Sequence, residues 1–278
     1  MNFWKKHLLK TITLLLLTGL LLAFASCKKT PAPEKTGHMM VTFEHSVGQQ
    51  LLEYDTIKYV NAAGNPYMVT NIQYFISDIC LHKVNGDSVL FEKNDQNQNI
   101  HYVDTDLPDT WQWQLPDSIP EGQYSSISFT FGLNKKENVS LRFPNPPESA
   151  MFWPQYLGGG YHYMKLNGKW RDTSGVIHPF NFHLGIGQEY DSLGKPVKFI
   201  QNYFKVTLPK SSFSISGGQT VHLALNMDVN EWFENPNVFD LNVWGGKIMQ
   251  NQTAMHLACQ NGHNVFTLKN IQVLLPEK

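Results

Sequence analysis

"VHLALNMDV", residues 221–229, sets Val221, Leu223, Leu225, Met227 and Val229 on one side of the chain and His222, Ala224, Asn226 and Asp228 on the other. That is the period of an extended strand, whose successive side chains point to opposite faces. The same alternation recurs in "MVTFEH" (40–45), "IQYFISDICLHKV" (72–84), "YSSISFTFGL" (124–133), "YHYMKL" (161–166), "FNFHLG" (180–185), "NYFKVTL" (202–208) and "VFTLKNIQVLL" (265–275). Turn signals separate these runs: Asn85-Gly86-Asp87, Pro120-Glu121-Gly122, Asn167-Gly168 and Gly217-Gly218. Short strands joined by polar turns predict an all-β fold, an antiparallel β-sandwich. One or two short helices are expected near the C-terminus. Val229 to Phe233 reads as a turn or two ending near Pro236. From Lys247 to Cys259, the residues Ile248, Gln252, Met255 and Cys259 follow a helical spacing, with Gly262 as the expected stop.

At the other end of the chain, Lys5, Lys6 and Lys10 precede an apolar run from Ile12 to Ala25 that closes on Phe24-Ala25-Ser26-Cys27. A basic start, a short apolar centre and small residues before a cut site predict a lipoprotein signal peptide over residues 1–26. Cys27 is then the lipidated residue, as in a bacterial lipobox. "CKKTPAPEKTG", residues 27–37, has no core-forming side chain and reads as a flexible tether. Residues 38–278 form the folded domain. The expected location is the bacterial cell envelope, with the lipid in the membrane and the domain on the outer membrane or facing the periplasm.

The formal net charge is −1 and charged residues make up 16% of the chain, so no basic stripe is available to neutralise phosphates and no nucleic-acid partner is expected. Cys80 and Cys259 read equally as a disulfide or as two buried thiols, because their separation in sequence does not fix their separation in space.

The chemistry-bearing residues are histidines on strands. Strict alternation would put His162, Met164 and Leu166 on one face of "YHYMKL", with Tyr161, Tyr163 and Lys165 on the other. In "FNFHLG", Asn181 and His183 share a face opposite Phe180, Phe182 and Leu184, and His45 lies with Phe43 and Val41. Imidazole together with thioether suits copper, Cu(I) above all, better than the oxygen-seeking magnesium or calcium. His222, His256 and His263 are further candidates. There is no zinc-type cysteine spacing, no His-Glu-x-x-His, no Gly-x-Ser-x-Gly and no phosphate-cradling glycine loop. Gly158-Gly159-Gly160 instead suggests a sharp bend. Asp104, Asp106 and Asp109 read as a solvated loop. Catalysis by this chain is not expected.

Several blocks, in order, resemble the copper-binding MbnP-like domain of Gram-negative envelope lipoproteins. They are "FEHSVGQQLLEYDTIKYVNAAGNPYMVTNIQYFISDICL", "YVDTD", "IPEGQYSSISFTFGLNKKENVS", "MFWPQYLGGGYHYMKLNG", "FNFHLG", "DVNEWFENP" and "NGHNVFTL". The resemblance spans residues 38 to 275. It implies a secreted β-sandwich that binds copper, often beside a dihaem peroxidase-like partner that oxidises a tryptophan to kynurenine. It marks His183 and His45 as ligands and Trp153 as the tryptophan open to oxidation. Gln155 stands where many relatives carry a second tryptophan, and the domain has two cysteines where some relatives have four. His162 and Met164 stand where many relatives are apolar.

The expected function is therefore copper acquisition or sequestration, with the metal held by His45, His162, Met164 and His183. The rival expectation is a surface glycan- or protein-binding lipoprotein whose exposed platform is centred on Trp111 and Trp113. A third is a member of the fold that has lost its metal and serves as a structural component of an envelope complex.

Overall fold

The structure, a computed structural model, describes residues 35–91, 99–115 and 118–276. The signal peptide, Cys27 and the tether as far as Glu34 lie outside the described residues. The strands in the first half of the chain are β1 Thr36–Val47, β2 Gln50–Leu51, β3 Tyr59–Val60, β4 Pro66–Lys83, β5 Ser88–Leu90, β6 Ile100–Asp104, β7 Gln112–Gln114, β8 Ile119–Pro120 and β9 Gly122–Phe131. Those in the second half are β10 Met164–Arg171, β11 Ile177–Leu184, β12 Gly187–Tyr190, β13 Pro196–Ile200, β14 Phe204–Leu208, β15 Phe213–Ile215, β16 Thr220–Asp228 and β17 Phe266–Leu274.

Each of the eight alternating runs contributes a strand, and the strands assemble into an all-β sandwich. One sheet runs β17-β16-β1-β2, with β7 and β8 also on β1. The other runs β11-β10-β4-β9-β14, with β3, β5 and β6 on β4 and β15 on β9, while β12 and β13 form a separate hairpin. Ladders between the described strands are antiparallel except one: β1 lies parallel to β16, from His38 opposite Thr220 to Ser46 opposite Asp228. β1 already begins at Thr36, inside the expected tether, where Thr36 and Gly37 pair with Pro120 and Ile119. A side chain at Gly37 would press on Ile215, so only glycine fits this entry into the sheet.

The core lies between the two sheets. Met39, Val41 and Phe43 of β1 and Val221, Leu223, Leu225 and Met227 of β16 are all buried. Opposite them stand Tyr74, Phe129 and Phe131, and Phe266 touches all three rings. Each such aromatic, taken out of water, contributes on the order of 2–3 kcal/mol. The alternation of β4 slips at Asp78, which takes a φ of 52° where the register with β9 shifts. This bulge moves the buried parity from Ile72, Tyr74 and Ile76 to Ile79 and Leu81.

The helices partly differ from expectation. Val229–Phe233 is a short 3-10 turn, as its length suggested. A second helix, Leu241–Trp244, is a single turn. The longer helix covers Gln252–Val265 rather than starting near Lys247, because the Asn251 side chain accepts from the Ala254 amide and fixes the start there. Gly262 does not stop it. It sits inside the helix because the Phe204 ring crosses there, leaving no room for a side chain.

The outer face of β4 is covered too. Phe75 stacks on Phe143 at 5.4 Å and packs edge-on to Tyr161, so the loop between β9 and β10 forms a third layer. The histidines of interest lie under that loop.

Candidate metal site

The loop is shaped by its glycines. Gly158, Gly159 and Gly160 have φ values of 117°, 68° and 80°, the bend expected of them. They turn the chain back so that the Trp153 amide donates to Gly160 O and Phe152 bridges Tyr161. The returning chain brings His162 onto Met151, whose carbonyl accepts from both the His162 amide and Nδ1, the latter at 2.9 Å. Trp153, fully buried, stands edge-on to the His162 ring at 4.7 Å and donates from Nε1 to Leu157 O. Gly185 lets it fit, since a side chain there would meet the indole at 2.6 Å.

His183 approaches from β11. It pairs in register with Lys165, and its ring lies 5.1 Å from that of His162, at 85°. Its Nε2 donates to Asn167 Oδ1 at 2.9 Å. Burial pushes His183 down to about 4, with the Lys165 ammonium adding to the effect. Burial likewise pushes His162 down to about 3, helped by His183 and Lys165. Both rings are therefore neutral at neutral pH. With Nδ1–H of His162 and Nε2–H of His183 spent on oxygen acceptors, His162 Nε2 and His183 Nδ1 keep their lone pairs.

A cleft of about 310 Å³ opens in front of His183, lined also by Tyr156, Leu157, Asn181, Lys247, Met249 and Gln250. The strip carrying Met249 is held beside β11 by the Asn181 amide, which donates to Gly246 O, and by the Asn181–Lys247 bridge. Met249 brings a thioether to the same cleft as His183. It had no signal in the sequence, since nothing local predicts that residues 246–250 run along β11.

The other expected ligands lie elsewhere. Met164 does not share a face with His162. Strand pairing starts at Met164, and the bend at Tyr163 reverses the parity, so Met164 is buried on the inner face in register with Tyr74 and Leu184. His45 is also between the sheets, its Nε2 3.2 Å from Tyr74 Oη, and burial pushes it down to about 4. β4 and β10 thus stand between His45 and Met164 on one side and His162 and His183 on the other. His222 meets Thr42, His256 meets Gln260, and His263 packs on Phe204 inside the long helix. Cys80 and Cys259 are free thiols with different neighbours, His82 and the Asn202 carbonyl.

The aromatic platform is not formed. Trp113 is buried and stacks on His101 at 5.1 Å, which itself stacks on Phe43, while Trp111 donates from Nε1 to Asp104 O. Asp104 is no solvated loop residue either. It is buried and accepts from Gln73, Tyr102 and Asn71, because its strand runs beside β4.

Among the described residues no group of three or more His, Cys, Asp or Glu side chains converges. A zinc-type cage is not what the donors offer. Two neutral imidazoles, each with one lone-pair nitrogen, and a nearby thioether fit a low-coordinate soft cation, so the donor chemistry suits copper. The MbnP family model matches residues 36–260. The chain belongs to the MbnP family. This family is linked to copper handling. Among solved structures the chain is similar to MbnP from Methylosinus trichosporium, at 14% identity over 74% of this chain and 80% of that one, with a TM-score of 0.48. None of the curated proteins compared matches the chain.

Proposed function

We propose that this MbnP-family chain binds copper as cargo, for acquisition or sequestration, through His162 and His183 with Met249 as a soft third donor. The observation that carries the reading is the pair of neutral rings 5.1 Å apart, each with one N–H donated to an oxygen acceptor, which leaves the lone pair on the other nitrogen. Tying the second nitrogen orients each ring and fixes its tautomer, as outer partners do for ligating histidines. The buried Trp153 ring, edge-on to His162, supplies an apolar wall that keeps water off that imidazole. Binding, with no catalytic step, is the role assigned to the chain. Its place would be the envelope, anchored through Cys27, and a dihaem peroxidase-like protein acting on Trp153 would be its partner.

Metal content tests the reading. The full chain is loaded with Cu(I) without oxygen, desalted and analysed by elemental mass spectrometry. About one equivalent is expected. His183→Ala should cut affinity by tenfold or more, and Met249→Leu by less. Met164→Leu, a change on the far side of the sheet, should leave copper binding intact. Copper retained by the His162→Ala/His183→Ala double variant would overturn the site.

A further inference from the structure

The register around His183 continues across the outer face of the larger sheet. His183 pairs with Lys165, Lys165 with Gln73, and Gln73 with Asp104, a row of four residues on β11, β10, β4 and β6. Strands lie about 4.8 Å apart, so Lys165 is one strand from His183, while Asp104 is three strands away, about 14 Å. Gln73, Tyr102 and Asn71 already occupy the Asp104 oxygens. The Lys165 ammonium is held in place, its Nζ donating to Ala150 O at 2.5 Å, one peptide before the Met151 carbonyl that grips His162. A fixed positive charge therefore stands beside both imidazoles. A second lysine, Lys247, lines the cleft, and no carboxylate is among the cleft's lining residues.

We propose that Lys165 is the residue that makes the His162–His183 site selective for a monovalent cation. The inference rests on the copper-binding reading above and adds the charge state of the ion. Repulsion between the ammonium and a bound ion scales with the ion's charge, so a dication is penalised twice as heavily, on a logarithmic scale, as a monocation at the same place. Cu(I) passes, whereas Zn(II) and Cu(II) bear the doubled penalty. Neither histidine needs to be protonated or moved for this to operate.

The test compares Cu(I) and Zn(II) affinities of the full chain with those of Lys165→Leu, which removes the charge and adds no metal donor, and Lys165→Arg, which keeps the charge. Chelator competition gives both affinities, and thermal melting confirms that each variant is folded. Lys165→Leu should tighten Cu(I) by about tenfold and Zn(II) by about a hundredfold, and should lower the reduction potential of bound copper. Lys165→Arg should retain the wild-type ratio. Equal fold-changes for the two ions in Lys165→Leu, or no change in either, would overturn the proposal. If the unaltered chain bound Cu(I) through His183 yet Lys165→Leu left the ratio untouched, charge selection alone would fail. If it bound no Cu(I), both readings would fall together.

Discussion

His45, expected from the sequence among the ligands, is packed in the core. It is 6% exposed, with the Tyr74 hydroxyl at 3.2 Å. Its folded pKa, about 4, is below the ordinary 6.5, so between these values the unfolded chain binds the extra proton and the folded one does not. The contribution is complete above about pH 6.5 and is lost as pH falls toward 4. His101, stacked between Phe43 and Trp113 and also lowered to about 4, acts in the same sense. His45→Phe should cost about 1 kcal/mol at pH 7.5 for the lost hydrogen bond. At pH 4.5 it should be the more stable form, because one histidine spares it roughly 2–3 kcal/mol of proton-linked loss. Urea unfolding at both pH values checks this, and parallel pH curves for the two proteins would contradict it.

The element that decides the site is the segment from Met151 to Tyr163. Its glycines hold His162 against Met151, and a side chain at Gly160 would press within 2.4 Å of Asn138 Oδ1, the acceptor for the Tyr161 amide. Gly160→Ala should therefore cost about 1–3 kcal/mol through its φ of 80° and the displaced Asn138. It should also weaken copper binding without touching a ligand, and thermal melting beside copper competition would read both effects. Strands such as β16 were legible because burial on one face imposes period two on the sequence. The pairing of His162 with His183 was not legible as a geometry, since a bend one residue before β10 reversed the parity that alternation assumes. Met249 was beyond local reading, because its position follows from a contact between segments about seventy residues apart. The Trp111–Trp113 spacing was likewise compatible with a platform until β7 turned Trp113 inward.

Across the described domain, large aromatic side chains are among the contacts that join the two sheets. Phe266, 4% exposed, reaches Tyr74, Phe129 and Phe131 across the sandwich. Phe266→Ala should lower stability by about 3–5 kcal/mol, whereas Leu141→Ala, at a side chain 80% exposed, should stay within about 0.5 kcal/mol. Chemical denaturation of both variants would separate the two classes. The parallel pairing of β1 with β16 has a consequence in time. A chain is synthesised from its N-terminus, so β1 emerges first, yet the strand that closes one of its edges follows about 180 residues later. At ordinary synthesis rates that interval is roughly 10–35 s. Throughout it Met39, Val41 and Phe43 lack their neighbours on β16, and the nascent strand is open to wrong partners. β1 can take its final place only when β16 has arrived.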